Sequence, residues 1–219
     1  MIELSNVGKA QDGKPILETF NLKVKPGERV ILFGPSGSGK TTILRLIAGF
    51  LAPDRGAVSL NGQVASKDGR VMVPPHERGL GFVFQDLALW PHMTVFENVE
   101  FALKVQRVNQ AQRVERVEAM LALVQLSSFK TTYPAKLSGG EQQRVAIARA
   151  LIAEPSTVLM DEPLSNLDED LRTSLCTGIL EFQARFGFTL VYVTHNRDEI
   201  RMLDGRVVQL EMLKPKTGG

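Results

Sequence analysis

The sequence predicts an α/β fold, in which helices are layered on a parallel β-sheet. Four short apolar runs, at residues 30–33, 80–84, 157–160 and 189–193, are rich in Val, Phe and Leu and show little alternation of polarity. Continuous apolar character is typical of strands that are buried on both faces, as in a parallel sheet. Helical patterns occupy the segments between these runs, and such alternation of strands and helices favours the layered arrangement.

Two apolar stripes with helical spacing support the helical segments. The first follows a glycine-rich turn and consists of Ile43, Leu44 and Ile47. The second has spacings of three and four and consists of Val114, Val117, Leu121 and Val124. Each stripe predicts a helix with one buried face.

The chain of 219 residues is long enough to bury the core of one domain. We predict a single domain over residues 1–219, with an α/β core made of residues 1–85 and 154–219. Residues 86–153 carry only helical and loop signals, and we predict that they form a helical lobe inserted into this core. Short strand and turn patterns near the start of the chain predict an additional N-terminal antiparallel β region.

Composition and charge argue against several classes of protein. The 26 Lys and Arg residues nearly balance the 24 Asp and Glu residues, and the net charge of +2 gives no reason to expect a nucleic-acid-binding protein or a polybasic membrane anchor. The lone Cys176 excludes an intrachain disulfide framework and fits a reducing, cytosolic setting. No apolar run approaches the roughly 20 residues of a membrane span. Glu3 and Asn6 interrupt the first apolar residues, which is unlike a signal peptide.

Polar residues follow each of the four strand candidates. These residues are Gly34, Gln85, Asp161 with Glu162, and Thr194 with His195. Ligands of open α/β sheets bind outside the carboxyl ends of the strands, so we expect these groups to face one ligand.

The segment "GPSGSGKT" at residues 34–41 fits the phosphate-loop pattern G-x-x-x-x-G-K-[ST]. Its glycines let the backbone direct N–H groups at an anion, and the following helix adds the positive end of its dipole. We expect Lys40 to reach the β- and γ-phosphates and the Thr41 hydroxyl to coordinate Mg²⁺. A position between a strand and a helix favours a phosphate site over an ordinary Gly- and Ser-rich turn. The predicted contacts are Gly34, Pro35, Ser36, Gly37, Ser38, Gly39, Lys40, Thr41 and Thr42.

The acidic pair in "TVLMDEP" predicts the chemistry at that site. Asp161 ends a buried strand, where a carboxylate can bind Mg²⁺ directly or through water. Glu162 is then placed to polarise a water molecule aimed at the γ-phosphate. The alternative is that these acids cap the next element. Gln85 and His195 are weak signals alone, although His195 can donate to a phosphate oxygen in either tautomer.

The stretch "LSGGEQQRVAIARAL" at residues 137–151 carries a second candidate anion site. Ser138 and Glu141 fit a capping box, which is a sufficient structural explanation for those two residues. It does not explain Gly139 and Gly140, which destabilise a first turn but allow the backbone to approach a ligand closely. The simplest arrangement that uses both phosphate elements is two chains head to tail, each presenting its Ser138 helix to the nucleotide of the other.

Taken together, "GPSGSGKTT", "VFQ", "LSGGEQQRVAIARAL", "VLMDEPLSNLD" and "VTH" resemble, in order and spacing, the nucleotide-binding subunits of ATP-binding cassette (ABC) transporters. The resemblance covers nearly the whole chain. It implies a P-loop NTPase fold with a RecA-like parallel core, and a dimer with ATP at its seam. A second ABC subunit, in a homodimer formed on ATP binding, is therefore an expected partner, with ATP and Mg²⁺ as cofactors.

The resemblance also implies roles for individual residues. Glu162 would be the general base, His195 the γ-phosphate switch, and Gln85 a sensor of the metal and the membrane partner. The metal ligands that follow are Thr41, Gln85 and Asp161. The residues expected to contact the partner's ATP or the dimer seam are Ser138, Gly139, Gly140, Glu141 and Asp168, the last in a loop at residues 165–168.

One branch of the family is more similar than the others. "PPHERGLGFVFQDLALWPHMTVFENVEFAL" resembles importers for sulfate, molybdate, ferric iron, polyamines and sugars. In that branch, the segment that corresponds to residues 85–96 lines a groove for a short helix of the transmembrane permease. The apolar side chains that would either line this groove or fill the lobe's own core are Leu87, Leu89, Trp90, Met93 and Phe96. The resemblance implies a peripheral ATPase subunit on the cytoplasmic face of the membrane, which powers an importer through ATP-driven dimerisation.

Three features depart from the family pattern. No aromatic residue occurs near Gln11, where the family commonly stacks one on adenine, and Glu141 stands where many members have Gln. The C-terminal regulatory domain of the importer branch is expected to be absent, and a monomer or weak dimer is expected without nucleotide. Two alternatives stay open: a soluble ABC ATPase acting on nucleic acid or ribosomes, and a module that senses ATP without hydrolysing it.

Overall fold

The computed structural model describes residues 1–165 and 167–212. The strands in that part of the chain are β1 (Ile2–Gln11), β2 (Lys14–Val24), β3 (Arg29–Phe33), β4 (Arg55–Leu60), β5 (Gln63–Lys67), β6 (Arg70–Val71), β7 (Leu80–Val83), β8 (Thr157–Asp161), β9 (Thr189–Thr194) and β10 (Arg206–Gln209). The α-helices are α1 (Lys40–Ala48), α2 (Val95–Val105), α3 (Gln110–Leu123), α4 (Gly139–Leu151), α5 (Glu169–Phe186) and α6 (Arg197–Leu203). Short 3-10 turns occupy Pro75–Glu77, Ser127–Phe129 and Pro134–Lys136.

A parallel sheet with the strand order β10-β3-β9-β8-β7 forms the centre of the fold. Every residue of β8 and β9 is buried, as their continuous apolar character predicts. The four predicted runs coincide with β3, β7, β8 and β9 to within one residue at each end. Strand β7 ends at Val83, because Phe84 already belongs to a turn in which its carbonyl accepts from Leu87 N at 3.0 Å.

An antiparallel sheet with the order β2-β1-β4-β5-β6 confirms the predicted N-terminal β region. Its first hairpin turns at Asp12 and Gly13, with φ values of 51° and 74°, which suit a two-residue hairpin turn. The hairpin packs on the phosphate loop, since a Cβ at Gly39 would lie 3.0 Å from Leu17 Cδ2 and 3.1 Å from Ile16 Cγ2. The two sheets thus meet at the phosphate loop.

Helix α1 lies between the two sheets and confirms the first predicted stripe. Ile43, Leu44 and Ile47 are fully buried. They belong to one apolar cluster with residues of both sheets, such as Leu4 and Leu159. The helix that follows the phosphate loop is therefore fixed from both sides.

Residues 86–153 contain only helices and loops, as predicted. Their apolar residues share one core cluster with the parallel sheet, so the division into core and inserted lobe stays a prediction. Three members of the second stripe are buried, but Val114 is 37% exposed. Val114 lies in the first two turns of α3, which contain no buried residue. The buried face of this helix begins at Val117. No helix among the described residues has the length and apolarity of a membrane span.

Candidate functional site

A cleft of about 560 Å³ opens at the carboxyl ends of the parallel strands. It brings together groups that are far apart in the sequence. They are Gln11, Ile16, Ser36, Gly37, Gly39, Lys40, Thr41, Thr42, Arg45, Gln85, Glu162 and His195. The structure therefore places Gln85, Glu162 and His195 beside the phosphate loop, as the strand ends predict.

The phosphate loop depends on its glycines. Gly37 and Gly39 have φ values of 82° and 92°, in the left-handed region that glycine adopts freely. A Cβ at Gly34 would clash with the backbone carbonyl of Leu210. The hydroxyl of Ser38 is buried without a hydrogen-bond partner among the described residues, as expected of a group built to contact an anion. The loop therefore has the geometry of an anion nest at the start of α1.

Lys40 is held beneath the loop by its own backbone. Its Nζ donates to the carbonyl oxygens of Gly34 and Pro35 at 2.8 Å each. The same Nζ lies 3.9 Å from Glu162 Oε1, and the Lys40 side chain is only 5% exposed. The ammonium group is thus fixed in position between the loop and Glu162, which follows β8.

Thr41 and Asp161 form a candidate site for a hard cation. Thr41 Oγ1 donates to Asp161 Oδ1 at 2.9 Å. Burial raises the pKa of the Asp161 carboxyl above its usual value, and the hydrogen bond from Thr41 partly opposes this shift. A hydroxyl and a carboxylate beside the amide of Gln85 are oxygen donors that suit Mg²⁺. Among the described residues, no group of three or more His, Cys, Asp or Glu is placed to hold a metal ion, so a Mg²⁺ ion here would draw further ligands from nucleotide and water.

Glu162 faces the cleft because the chain reverses direction at this residue. Its φ of 44° is unusual for a residue with a Cβ, and its N–H donates to Val193 O at 3.1 Å. Oε2 lies 3.0 Å from His195 Nδ1. Because an ionised carboxylate only accepts, Nδ1 carries the proton in this pair, so donation from Nε2 to a phosphate requires the doubly protonated imidazolium. This pairing restricts the freedom of tautomer that the sequence alone allows.

The end of the cleft next to the β1–β2 hairpin lacks an aromatic ring among the described lining residues. Gln11 is exposed there and Ile16 is half-buried. The sequence identified Gln11 but missed Ile16 and Arg45. Arg45 lies four residues after Thr41 on α1, and this one-turn spacing is the signal that could have placed it on the cleft side.

The second anion element does not line this cleft. Ser138 caps α4: its hydroxyl accepts from Glu141 N at 3.4 Å, and Glu141 Oε2 accepts from Ser138 N at 2.7 Å. The backbone N–H of Ser138 lowers the pKa of the Glu141 carboxyl. Packing within the same chain explains the glycine at position 140, since a Cβ there would clash with Leu171. Gly139 is exposed, and its nearest neighbour to an added Cβ is Leu167 Cδ2 at 3.9 Å.

Asp168 also has a local structural role. It caps α5, where its Oδ1 accepts from Leu171 N at 2.9 Å, and it does not line the cleft. Asn166, which belongs to the predicted seam loop at residues 165–168, lies outside the described residues. The alternative in which Asp161 or Glu162 caps the next helix is therefore wrong, because Asp168 caps α5. A role of Asp168 at a dimer seam stays a prediction.

The segment after Gln85 is partly buried. Leu87, Leu89 and Phe96 pack against the main core cluster, as the alternative of a filled core predicts. Trp90 contacts Phe101 with ring centroids 4.5 Å apart. These residues, together with Met93, all retain exposed surface, so core packing and a docking role are both possible for the same side chains.

Comparison with known proteins agrees with this fold. A model of the ABC transporter family matches residues 17–165. The spermidine/putrescine import ATP-binding protein PotA of Marinobacter nauticus is 45% identical over 211 residues, which are 96% of this chain and 55% of that protein. The Fe(3+) ions import ATP-binding protein FbpC of Fusobacterium nucleatum is 42% identical over 210 residues, with shares of 96% and 55%. The chain thus spans about half the length of these curated relatives.

One solved structure is similar to this chain over its whole length. The ATP-binding cassette MJ0796, in a dimeric post-hydrolysis state bound to ADP and Pi, superimposes with a TM-score of 0.85 and 34% identity over 100% of both chains. This similarity confirms the P-loop NTPase fold with one parallel and one antiparallel sheet. The family match and the shared fold lead to one conclusion: the chain belongs to the ABC transporter family and comprises an ATP-binding domain of that family.

Proposed function

We propose that this chain binds and hydrolyses ATP, and that hydrolysis powers an importer. The observation that carries the proposal is the position of Glu162, whose two carboxylate oxygens face Lys40 and His195 inside the cleft. An acid in this position can orient a water molecule toward a phosphate that Lys40 holds. The ADP and Pi bound to the similar MJ0796 cassette support nucleotide as the ligand.

The side chains at the site have separate proposed roles in ATP hydrolysis. Backbone N–H groups of the phosphate loop and Lys40 bind the triphosphate. Thr41, Asp161 and Gln85 would hold Mg²⁺, which neutralises phosphate charge when bound. Glu162 accepts a proton from the water that attacks the γ-phosphorus, the bond to the bridging oxygen breaks, and ADP and phosphate result. His195 donates a ring N–H to a γ-phosphate oxygen and stabilises the negative charge on that oxygen.

The complete site is proposed to need a second chain. Ser138, Gly139 and Glu141 do not line the cleft of their own chain. They lie at the start of α4, where the backbone N–H groups of the first helical turn are located. A head-to-tail dimer places these groups on the partner's γ-phosphate, with Asp168 near the seam. The dimeric state of the MJ0796 cassette supports this arrangement.

The transport role rests on the relatives, which are import ATP-binding proteins. We propose that residues 85–96 contact a transmembrane permease, which holds the chain at the cytoplasmic face of the membrane. The near-neutral charge of the chain gives no support to the alternative of a nucleic-acid partner.

Exchange of Glu162 for Gln tests the proposed hydrolysis. Glu162→Gln keeps the shape of the side chain but removes the proton acceptor, so phosphate release should fall by about 100-fold or more while ATP is still bound. Glu115→Gln, on the exposed face of α3, is the matched control and should keep the parent rate. Hydrolysis by Glu162→Gln at the parent rate would contradict the assignment. A parent chain that binds ATP but releases no phosphate, alone or with its permease, would favour the ATP-sensing alternative.

A further inference from the structure

Two consecutive residues after Gln85 adopt an unfavourable backbone conformation. Leu87 and Ala88 have φ values of 59° and 45°, in the left-handed region that residues with a Cβ rarely adopt. Neighbouring structure must hold such residues in place. The carbonyl oxygens of both residues point to the guanidinium of Arg149, whose Nη2 donates to Leu87 O at 2.7 Å and whose Nη1 donates to Ala88 O at 2.5 Å.

The same guanidinium contacts the next aromatic residue of the segment. Arg149 Cζ lies 4.9 Å from the centre of the Trp90 ring, within the range of a cation–π contact. Arg149 is half-buried, so its two hydrogen bonds and its ring contact are partly shielded from water. The planar fork of arginine can make two carbonyl bonds and stack on a ring at once, which the ammonium of lysine cannot do.

The rest of the segment is fixed independently. Asn98 of α2 is fully buried, and its amide bonds to the backbone of Trp90, Met93 and Thr94 at 3.0–3.1 Å. Trp90 is thus held by α2 on one side and by Arg149 on the other. Within this segment, Arg149 supplies the side-chain donors to the carbonyl oxygens of Leu87 and Ala88.

Arg149 lies in the last turn of the helix that begins at Ser138. With a rise of 1.5 Å per residue, the two residues are roughly 16 Å apart along a rigid α4. A displacement at one end of such a helix moves the other end. Ser138 is the proposed contact to the partner's nucleotide, and Arg149 holds the segment that is proposed to contact the permease.

We propose that Arg149 is a positioning residue that transmits the movement of α4, when ATP is bound between two chains, to the segment at residues 85–90. This inference rests on the proposed function, because it requires ATP-dependent contact at Ser138. It adds the physical connection between the phosphate contact and the permease-facing segment. The connection consists of two hydrogen bonds to left-handed residues and the stacking on Trp90.

Trp90 is the single tryptophan of the chain, so its fluorescence reports this contact directly. The experiment adds Mg²⁺-ATP to the full-length Glu162→Gln chain and records Trp90 emission, while equilibrium dialysis measures ATP binding separately. We expect an ATP-dependent change in emission. In the same background, Arg149→Lys should reduce the amplitude by about fivefold or more and leave the dissociation constant for ATP within about threefold, because only the bidentate contact is lost.

Arg185→Lys is the matched control, since Arg185 also lies over an aromatic ring, that of Phe186, but far from this segment in the sequence. It should leave the emission change intact. The inference is overturned if Arg149→Lys keeps the full amplitude, or if the parent binds ATP without any change in Trp90 emission. A parent that binds no ATP in dialysis overturns the proposed function itself, and this inference with it.

A loss of folding would be distinguished by a second variant. If Arg149→Lys melts below the assay temperature, Ala88→Gly is added, because glycine accepts the left-handed conformation without the strain that Ala88 bears. The double variant should fold and bind ATP but still lack the emission change. Recovery of the full amplitude in the double variant would show that Arg149 only supports the fold, and would overturn the inference.

Discussion

Asp161 illustrates how a side chain with a proposed function can lower the stability of the fold. Burial raises the pKa of its carboxyl above the usual value of 3.8, so the folded chain binds this proton more tightly than the unfolded chain does. The free energy of unfolding therefore decreases as the pH rises through the interval between the two pKa values. The penalty is absent below the unfolded value and complete above the folded value. A buried carboxylate that awaits a cation is a source of instability in the free protein.

Asp161→Asn removes that penalty. Without added nucleotide or Mg²⁺, we expect the variant to melt about 2–4 °C higher at pH 7, the shift that about 1 kcal/mol produces in a domain of this size. Calorimetry at several pH values checks this, and the gain should shrink as the pH falls toward and below 3.8, because the carboxyl then becomes protonated in both states. Hydrolysis of Mg²⁺-ATP should fall at the same time. A variant with an unchanged or lower melting temperature at pH 7 would show that the ionised Asp161 is not destabilising.

Gln11 lies on the hairpin side of the cleft, where the family resemblance predicts an aromatic residue that stacks on adenine. It is exposed at the cleft, with Ile16 as its apolar neighbour. Gln11→Tyr introduces a ring, and stacking on a base contributes about 1 kcal/mol or more, so the dissociation constant for ATP should decrease about fivefold. Binding of inorganic tripolyphosphate, which has no base, should not change. Lys14→Tyr places the ring on the same hairpin but outside the cleft lining, and an equal gain there would contradict a base contact at Gln11.

Helices α2 and α4 offer an internal comparison, because both begin with a complete capping box. Thr94 and Glu97 form the box of α2, and Ser138 and Glu141 form the box of α4. The shared geometry shows that capping alone explains the Ser and Glu of the second anion element. A capping box does not require a glycine at the exposed position 139, so Gly139 is left without this explanation.

The two caps can be removed in parallel. Thr94→Ala and Ser138→Ala should each decrease the free energy of unfolding by about 1 kcal/mol, since each hydroxyl accepts from the backbone N–H of the box glutamate and donates to its carboxylate. Only Ser138→Ala should also lower ATP hydrolysis, because the proposed trans contact involves that hydroxyl. Urea unfolding and phosphate release measure the two effects. Equal losses of activity in both variants would mean that Ser138 serves the helix alone.

The elements differ in how far the sequence predicts them. Strands β8 and β9 are recognisable because both faces are buried and their residues are uniformly apolar. Strand β10 (Arg206–Gln209) was missed because it is an edge strand that pairs only with β3 and contains no buried residue, so no hydrophobic pattern marks it. Val114 fits a helical stripe by spacing but is exposed, since periodicity cannot tell where a neighbour stops covering a helix.

At the level of the whole molecule, one buried arginine joins helix α1 to the antiparallel sheet. Arg78 donates to the carbonyls of Leu46 and Ile47 at the end of α1, to Ala65 O and Ser66 Oγ of β5, and to Val73 O, at 2.6–3.1 Å. Its guanidinium therefore connects the helix of the phosphate loop with the antiparallel sheet. Burial lowers the pKa of this group, as expected for a cation taken out of water.

Arg78→Met should be among the most damaging substitutions in the chain. It leaves several buried acceptors without donors, and we expect a loss of about 3–5 kcal/mol in the free energy of unfolding. Arg70→Met, on the exposed strand β6, is the control and should change stability little. Urea unfolding of both variants measures the difference. A loss of less than 1 kcal/mol for Arg78→Met would mean that water replaces the missing donors.

The site is predictable where a motif fixes both chemistry and position, as it does for Lys40 and Glu162. The contact between Glu162 and His195, and that between Arg149 and Leu87, are tertiary and leave no local signal in the sequence. The head-to-tail arrangement joins two chains, so no local pattern within one chain specifies it. The head-to-tail arrangement is therefore the claim that most needs a direct measurement.

Disulfide crosslinking between two variants, each with one introduced cysteine, provides that measurement. Ser36→Cys and Gly139→Cys lie at exposed positions of the two phosphate elements, and the native Cys176 is protected because burial raises its thiol pKa to about 12. Both substitutions are made in the Glu162→Gln background, and the two variants are mixed with Mg²⁺-ATP under mild oxidation. The account predicts a covalent dimer that contains one chain of each variant and forms only with ATP. Mixed chains that bind ATP but yield no such heterodimer would contradict it.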